Sequence, residues 1–132
     1  MSPIIKVIEK LQGLRCLTPL IEKDINDAEQ VLGLKFADDY RTYTKKFGAI
    51  SAEGLELTGV VAAPRLNVVE VTISEKSLNQ NIPDDMYVIE NTGIDGILIL
   101  QNARGEIFSI SPSSKPIKKF ASLTEYLQSI KN

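Results

Sequence analysis

The segment from Leu32 to Gly48, LGLKFADDYRTYTKKFG, holds two acids, two tyrosines and three lysines. Asp38 and Asp39 beside Tyr40 and Arg41 could belong to an active site or could open a helix. The spacing decides for the helix. Tyr40, Tyr43, Thr44 and Phe47 recur at i, i+3, i+4 and i+7, the stripe of a helix that faces a core. Asp38 stands where an N-cap belongs, and Asp39 falls in the first turn, where a negative charge meets the positive end of the helix dipole. Lys45 and Lys46 suit the last turn, and Gly48 suits a left-handed cap. Every charge in the segment has a place in a helix without catalysis.

On the N-terminal side, Ile4, Val7, Ile8 and Leu11 lie at helical spacing, with Gly13 as a stop. Ile21, Ile25, Ala28 and Leu32 share one face of a second helix, with Asp24 placed to cap its start and Gly33 at its end. On the C-terminal side the period changes to that of strands. Glu53-Gly54 is a turn between two short extended pieces, and Leu55 and Leu57 alternate with Glu56 and Thr58. In the run NVVEVTISEKSLNQN, from Asn67, Val68, Val69, Val71 and Ile73 favour a strand while Val71, Glu75 and Leu78 suit a helix face, and the second half is read as helix. MYVIEN is a strand after the Pro83-Asp84-Asp85 turn. Ile97 to Leu100, ILIL, suits a strand buried on both faces. QNARG makes a tight connection with Gly105 at positive φ, EIFSI returns antiparallel, and PIKKF is held to an edge by its prolines. Ser122 and Glu125 form a capping box ahead of the stripe Leu123, Tyr126, Leu127 and Ile130. The expectation is one α+β domain over residues 1–132, with a single antiparallel sheet flanked by N-terminal helices and a C-terminal helix.

The segment INDAEQVLGLKFADDYRTYTKKFGAI resembles the signature of the SUKH superfamily. The matching positions are Ala28, Glu29, Leu32, Gly33, Leu34, Phe36, Asp39, Tyr40, Arg41, Phe47 and Gly48. The closing SLTEYLQSI is similar to the family's Ser-Phe-x-Glu-Phe-Leu ending. Ala37 stands where the family has proline, Ala49 where a second glycine is common, and tryptophan is absent. The resemblance implies an antiparallel sheet flanked by helices. It also implies protein binding: bacterial members typically neutralise a cognate toxin, often a nuclease, of a polymorphic toxin system, and fungal relatives regulate cell-wall synthesis. The family carries no catalytic residue over to this chain.

Composition agrees with a binding role. The chain has 132 residues, 43% hydrophobic and 24% charged, with a net charge of −2. That balance lacks the basic face that nucleic-acid binding requires. Histidine is absent and Cys16 is the only cysteine, which excludes Cys/His zinc sites and histidine-activated nucleophiles. Cys16 is read as a small buried apolar group. The first residues mix charge into an apolar run without the layout of a signal peptide, and no stretch approaches a membrane span. The expected location is the cytoplasm, with no membrane partner and no cofactor, as a monomer or weak dimer.

An enzyme would have to draw on Asp38, Asp39, Glu53, Glu56, Asp84, Asp85, Glu90 and Asp95. Adjacent carboxylates diverge on a helix and alternate on a strand, so neither Asp pair converges on one point. A binder needs only a complementary surface, and the basic cleft of a nuclease would suit an acidic one. The expectation is therefore an immunity protein that binds and neutralises a cognate bacterial toxin, with Glu53, Glu56, Asp84, Asp85, Glu90 and Asp95, or a subset, on one partner-facing surface. A non-catalytic regulatory interaction domain is the alternative, and a small carboxylate-based hydrolase is a third reading.

Overall fold

The computed structural model describes residues 3–130. The order of elements is α1 (Ile4–Glu9), β1 (Arg15–Cys16), α2 (Glu22–Leu32), α3 (Asp38–Phe47), β2 (Ile50–Ala52), β3 (Leu55–Leu57), a 3-10 turn (Pro64–Leu66), α4 (Val68–Leu78), β4 (Tyr87–Asn91), β5 (Leu98–Gln101), β6 (Ile107–Ile110), β7 (Ile117–Phe120) and α5 (Leu123–Ile130).

The step from α2 to α3 is built by the signature residues. Asp24 Oδ2 accepts the Ile21 N–H at 3.2 Å and so closes the start of α2. Gly33, at φ +68, ends it in the left-handed conformation, which a residue with a Cβ adopts at a cost. The buried Glu29 carboxylate accepts the Phe36 N–H at 2.8 Å and pairs with Arg41 Nη1 at 3.0 Å. Arg41 also donates to Asn26 Oδ1 at 3.0 Å. Glu29 and Arg41 thus lock the two helices around the turn. The N-cap of α3 is Ala37, and Asp38 is already helical. The Ala37 N–H is received by the Tyr87 hydroxyl at 2.9 Å. Gly48 has φ +74 and ψ −92, so it turns the chain outside the left-handed helical region. A Cβ there would lie 2.5 Å from the Leu17 carbonyl oxygen, so the position requires glycine for space as much as for conformation.

The structure has two antiparallel sheets, in place of the single sheet expected. One is ordered β1-β2-β3 and the other β4-β5-β6-β7. They meet where the Thr58 N–H donates to the Ile89 carbonyl at 2.9 Å. Two residues earlier, the Glu56 N–H is received by the Glu90 carboxylate at 3.0 Å. A side chain takes the donor that a continuing ladder would offer to a strand carbonyl, so the sheets touch without merging. The prolines do leave β7 at an edge, and the β2–β3 hairpin turns at Glu53-Gly54. The β4–β5 hairpin closes through the Ile97 N–H to the Ile94 carbonyl at 2.9 Å. Asp95 and Gly96 both have positive φ there, 53 and 71, the type I′ geometry that matches strand twist.

The apolar run in β5 is buried on both faces, as its composition predicts. Leu98 and Leu100 pack with Ile82, Met86, Val88 and Ile110. Ile99 faces the main core of Ile4, Ile8, Ile25, Tyr40, Tyr43, Tyr87, Leu123 and Leu127. Phe36, Tyr40 and Tyr87 form an aromatic knot, with Phe36 edge-on to Tyr87 at 4.8 Å and Tyr40 at 5.0 Å from Tyr87. Burying each such ring is worth about 2–3 kcal/mol, whereas an exposed ion pair gives under about 1 kcal/mol. The knot, more than the surface charge, fixes α3 on the sheet. The tyrosine hydroxyls are satisfied: Tyr40 shares a hydrogen bond with Thr58 Oγ1 at 2.8 Å, and Tyr43 donates to the Thr58 carbonyl at 2.6 Å.

Further expectations change in the folded chain. The helix in the segment after Asn67 begins at once, because Asn67 Oδ1 accepts the N–H groups of Val69 and Glu70 at 2.9 and 3.2 Å. Its buried positions are Val68 and Thr72, while Leu78 is 78% exposed. Thr58, expected on the outer side of its strand, is buried. Cys16 lies exposed in β1, since that two-residue edge strand has no layer over it.

Candidate functional site

The acids expected on one surface separate into three groups. Glu56 stands on β3, beside the end of β4, and Glu53 lies in the turn that precedes it. Asp95 sits in the β4–β5 turn that follows the same end of β4. Asp84 and Asp85 precede the other end, about 16 Å away along the five residues of β4. All but Glu90 reach solvent. Glu90 is 5% exposed and turns towards α5, where it accepts the Tyr126 hydroxyl proton. Burial holds the Glu90 carboxyl above its ordinary range, against the lowering effect of the Tyr126 bond. Glu90 is therefore an interior joint between the two sheets and α5, and does not belong to an exposed acidic face.

Asp39 is likewise engaged internally. Its Oδ2 accepts the Leu123 N–H at 2.9 Å, and its Oδ1 accepts Gln101 Nε2 at 3.0 Å. Desolvation raises its pKa despite these bonds. Both carboxyls with raised pKa thus serve as acceptors in the fold.

A groove of about 570 Å3 opens on the Glu56 end of the molecule, lined by β3, the 3-10 turn, one flank of α4, and Asn91 and Gly93. Its frame is rigid. The Gly59 N–H donates to the Leu66 carbonyl at 2.9 Å, and the Val68 N–H donates back to Gly59 at 2.9 Å. Asn67 Nδ2 donates to the Val61 carbonyl at 2.7 Å while its Oδ1 caps α4. Leu66 and Val71 supply apolar wall, and Val71 is backed by the second core cluster. Glu56, Glu70 and Glu75 bring three carboxylates to the groove, and Arg65 brings one guanidinium. Arg65 is already engaged in a fork on Glu56, at 2.7 and 3.0 Å. That bond holds the Glu56 carboxyl below its usual range.

Glu56 is the one expected contact residue that lines this groove. Glu70, Glu75 and Arg65 line it as well, outside the expected contact set. The available signal was helical: once α4 starts at Val68, residues 70, 71, 74 and 75 share a flank. Their meeting with Glu56 and Arg65 depends on the 3-10 turn, which has no periodicity to read. Lys76 leaves α4 on the opposite flank, where its Nζ donates to the Asp84 carbonyl at 3.0 Å. That bond places Asp84 away from the groove.

Among the described residues, no group of three or more cysteine, aspartate or glutamate side chains is arranged to hold a metal ion. No helix among them is long and apolar enough to cross a membrane. Comparison with protein families matches the chain over residues 1–132 to SUKH_5, described as SMI1-KNR4 cell-wall. No curated protein matches it.

Proposed function

The chain belongs to the SUKH superfamily, and from that membership we propose that it is an immunity protein, which binds a cognate bacterial toxin stoichiometrically and neutralises it. The observation that carries the reading is the family match across the whole chain. The mechanism is occlusion: a stable scaffold covers the toxin's active or substrate surface, with no cofactor and no bond made or broken. The contact surface is the end of the molecule that carries Glu53, Glu56 and Asp95, with Asp84 and Asp85 as a separate acidic pair. Acidic groups there suit a toxin with a basic cleft, such as a nuclease, and raise the rate of encounter. The protein works in the cytoplasm, where such a toxin would act.

Co-expression with the product of the adjacent upstream gene tests the proposal. Growth rescue together with a 1:1 complex of the purified proteins supports it. A toxin that kills equally with and without this chain removes it, and leaves a regulatory interaction domain, in keeping with the cell-wall role of the family.

A further inference from the structure

The groove beside α4 has a charge pattern that selects its occupant. Of its three carboxylates, Glu56 is neutralised by Arg65. Glu70 and Glu75 have no ion-pair partner among the described residues. The groove therefore holds two uncompensated negative charges over an apolar wall of Leu66 and Val71. The walls are fixed by backbone hydrogen bonds to Gly59, so no rearrangement is needed to open it. Two large apolar side chains are exposed close in the chain to lining residues. Ile94, 64% exposed, follows the lining residue Gly93, and Leu78, 78% exposed, lies one turn beyond the lining residue Ser74 on α4. Exposed apolar side chains next to a charged groove suit an interface anchor more than a solvated face.

We propose that this groove takes a basic side chain, arginine or lysine, presented by the partner protein. The aliphatic stem lies on Leu66 and Val71, and the cationic head meets Glu70 and Glu75. Ile94 and Leu78 cover the flanking apolar residues of the same partner segment. The site rests on the binding reading above but goes beyond it, because it moves the decisive contacts onto α4. It also separates Asp84 and Asp85, beyond the opposite flank of α4, from the anchor.

Two measurements test the groove and keep its failure distinct from failure of the immunity reading. In the first, the 15N-labelled protein is titrated with acetyl-Leu-Arg-Leu-amide and with the same peptide carrying glutamate for arginine. The expected result is saturable shifts confined to the amides of Glu70, Val71, Ser74, Glu75 and Gly93, with the arginine peptide alone. The Glu70→Gln/Glu75→Gln double variant, which keeps the size of both side chains, should abolish them. Shifts spread over all surface acids, or unchanged in the variant, overturn the proposal. In the second, the affinity for the upstream-gene product is compared among wild type, E70Q/E75Q and D84N/D85N. The groove variant should bind about tenfold or more weakly, with the aspartate variant unchanged. Full affinity in E70Q/E75Q overturns the groove while the immunity reading stands. Groove binding of the arginine peptide without toxin binding has the reverse meaning.

Discussion

Asp39, at the start of α3, caps a helix 84 residues further along the chain: its Oδ2 accepts the Leu123 N–H at 2.9 Å. The same carboxylate holds Gln101 Nε2 through its other oxygen, at 3.0 Å. Gln101 Oε1 in turn accepts the Tyr87 hydroxyl at 2.7 Å, and Tyr87 receives the Ala37 N–H. One connected set of bonds thus joins α3, β4, β5 and α5. Its members satisfy donors that the packed core would otherwise leave without water.

Replacing Asp39 should therefore cost more than replacing its neighbour. Asp39→Ala loses a helix cap and leaves the Gln101 Nε2 group with its Gly105 carbonyl bond alone, for about 2 kcal/mol. Asp38→Ala removes an exposed first-turn charge, for under about 0.5 kcal/mol. Urea unfolding of the two variants gives the comparison, and equal costs would remove the capping role.

The Tyr87 hydroxyl is the next member of that set. Tyr87→Phe keeps the ring packing but leaves the buried Ala37 N–H and Gln101 Oε1 without a partner. The expected loss is about 1–3 kcal/mol. Amide exchange at Ala37 should accelerate in parallel, which a pure packing defect elsewhere would not produce.

Glu29 and Arg41 should couple strongly, because the carboxylate is 9% exposed and its partner is needed to hold the charge inside. Arg41→Ala is expected to cost about 2 kcal/mol, below the figure for a fully buried pair because the arginine side chain is 26% exposed. Lys23→Ala, breaking an exposed i,i+4 pair with Asp27, should leave stability nearly unchanged, because solvent screens the pair. A double-mutant cycle on each pair measures the difference.

The dependence on pH has two opposite parts. Glu90 has its pKa raised, chiefly by desolvation, from an ordinary 4.5. Its burial as an anion therefore costs stability, and that cost appears as the pH rises from 4.5 through the raised value. Glu90→Gln should gain on wild type over that interval, with no gain well below pH 4.5. Glu106 is drawn down to about 2, first by Asn102 Nδ2 and then by Lys118 and Arg104. Its contribution is present above 4.5 and disappears as the pH falls through about 2, so Glu106→Gln should flatten the acid limb. Denaturant midpoints at a series of pH values would show both, and parallel curves for either variant would contradict the assignment.

Glycines should differ sharply in their tolerance. A Cβ at Gly59 would fall 1.8 Å from the Gly48 carbonyl oxygen, whereas one at Gly33 meets nothing within 4 Å. Gly33→Ala should cost about 1 kcal/mol from its positive φ alone. Gly59→Ala should shift the backbone and cost several times as much, and thermal unfolding of the two variants checks the order.

Local features of the fold were legible in the residues wherever one element supplies its own signal. The Tyr40, Tyr43, Thr44 and Phe47 stripe, the Gly33 stop, the Glu53-Gly54 turn and the edge position of β7 all follow from rules that act within a few residues. The closing helix shows where such rules end. Ser122 Oγ accepts the Glu125 N–H as a capping box requires, but Glu125 reaches back to Ala121, and the Leu123 N–H goes to Asp39.

Charge was the property least legible from position. Glu90 follows a strand pattern that says nothing of α5, and only the packing of Tyr126 against it turns a surface acid into a buried joint. The same carboxylate takes the Glu56 N–H where the two sheets meet, so the number of sheets depended on a side-chain contact that strand alternation does not encode. The groove formed by Glu56, Arg65, Glu70 and Glu75 belongs to the same class. Its residues come from elements whose order is plain in the chain, but burial and hydrogen bonding across the fold set which of their charges meet.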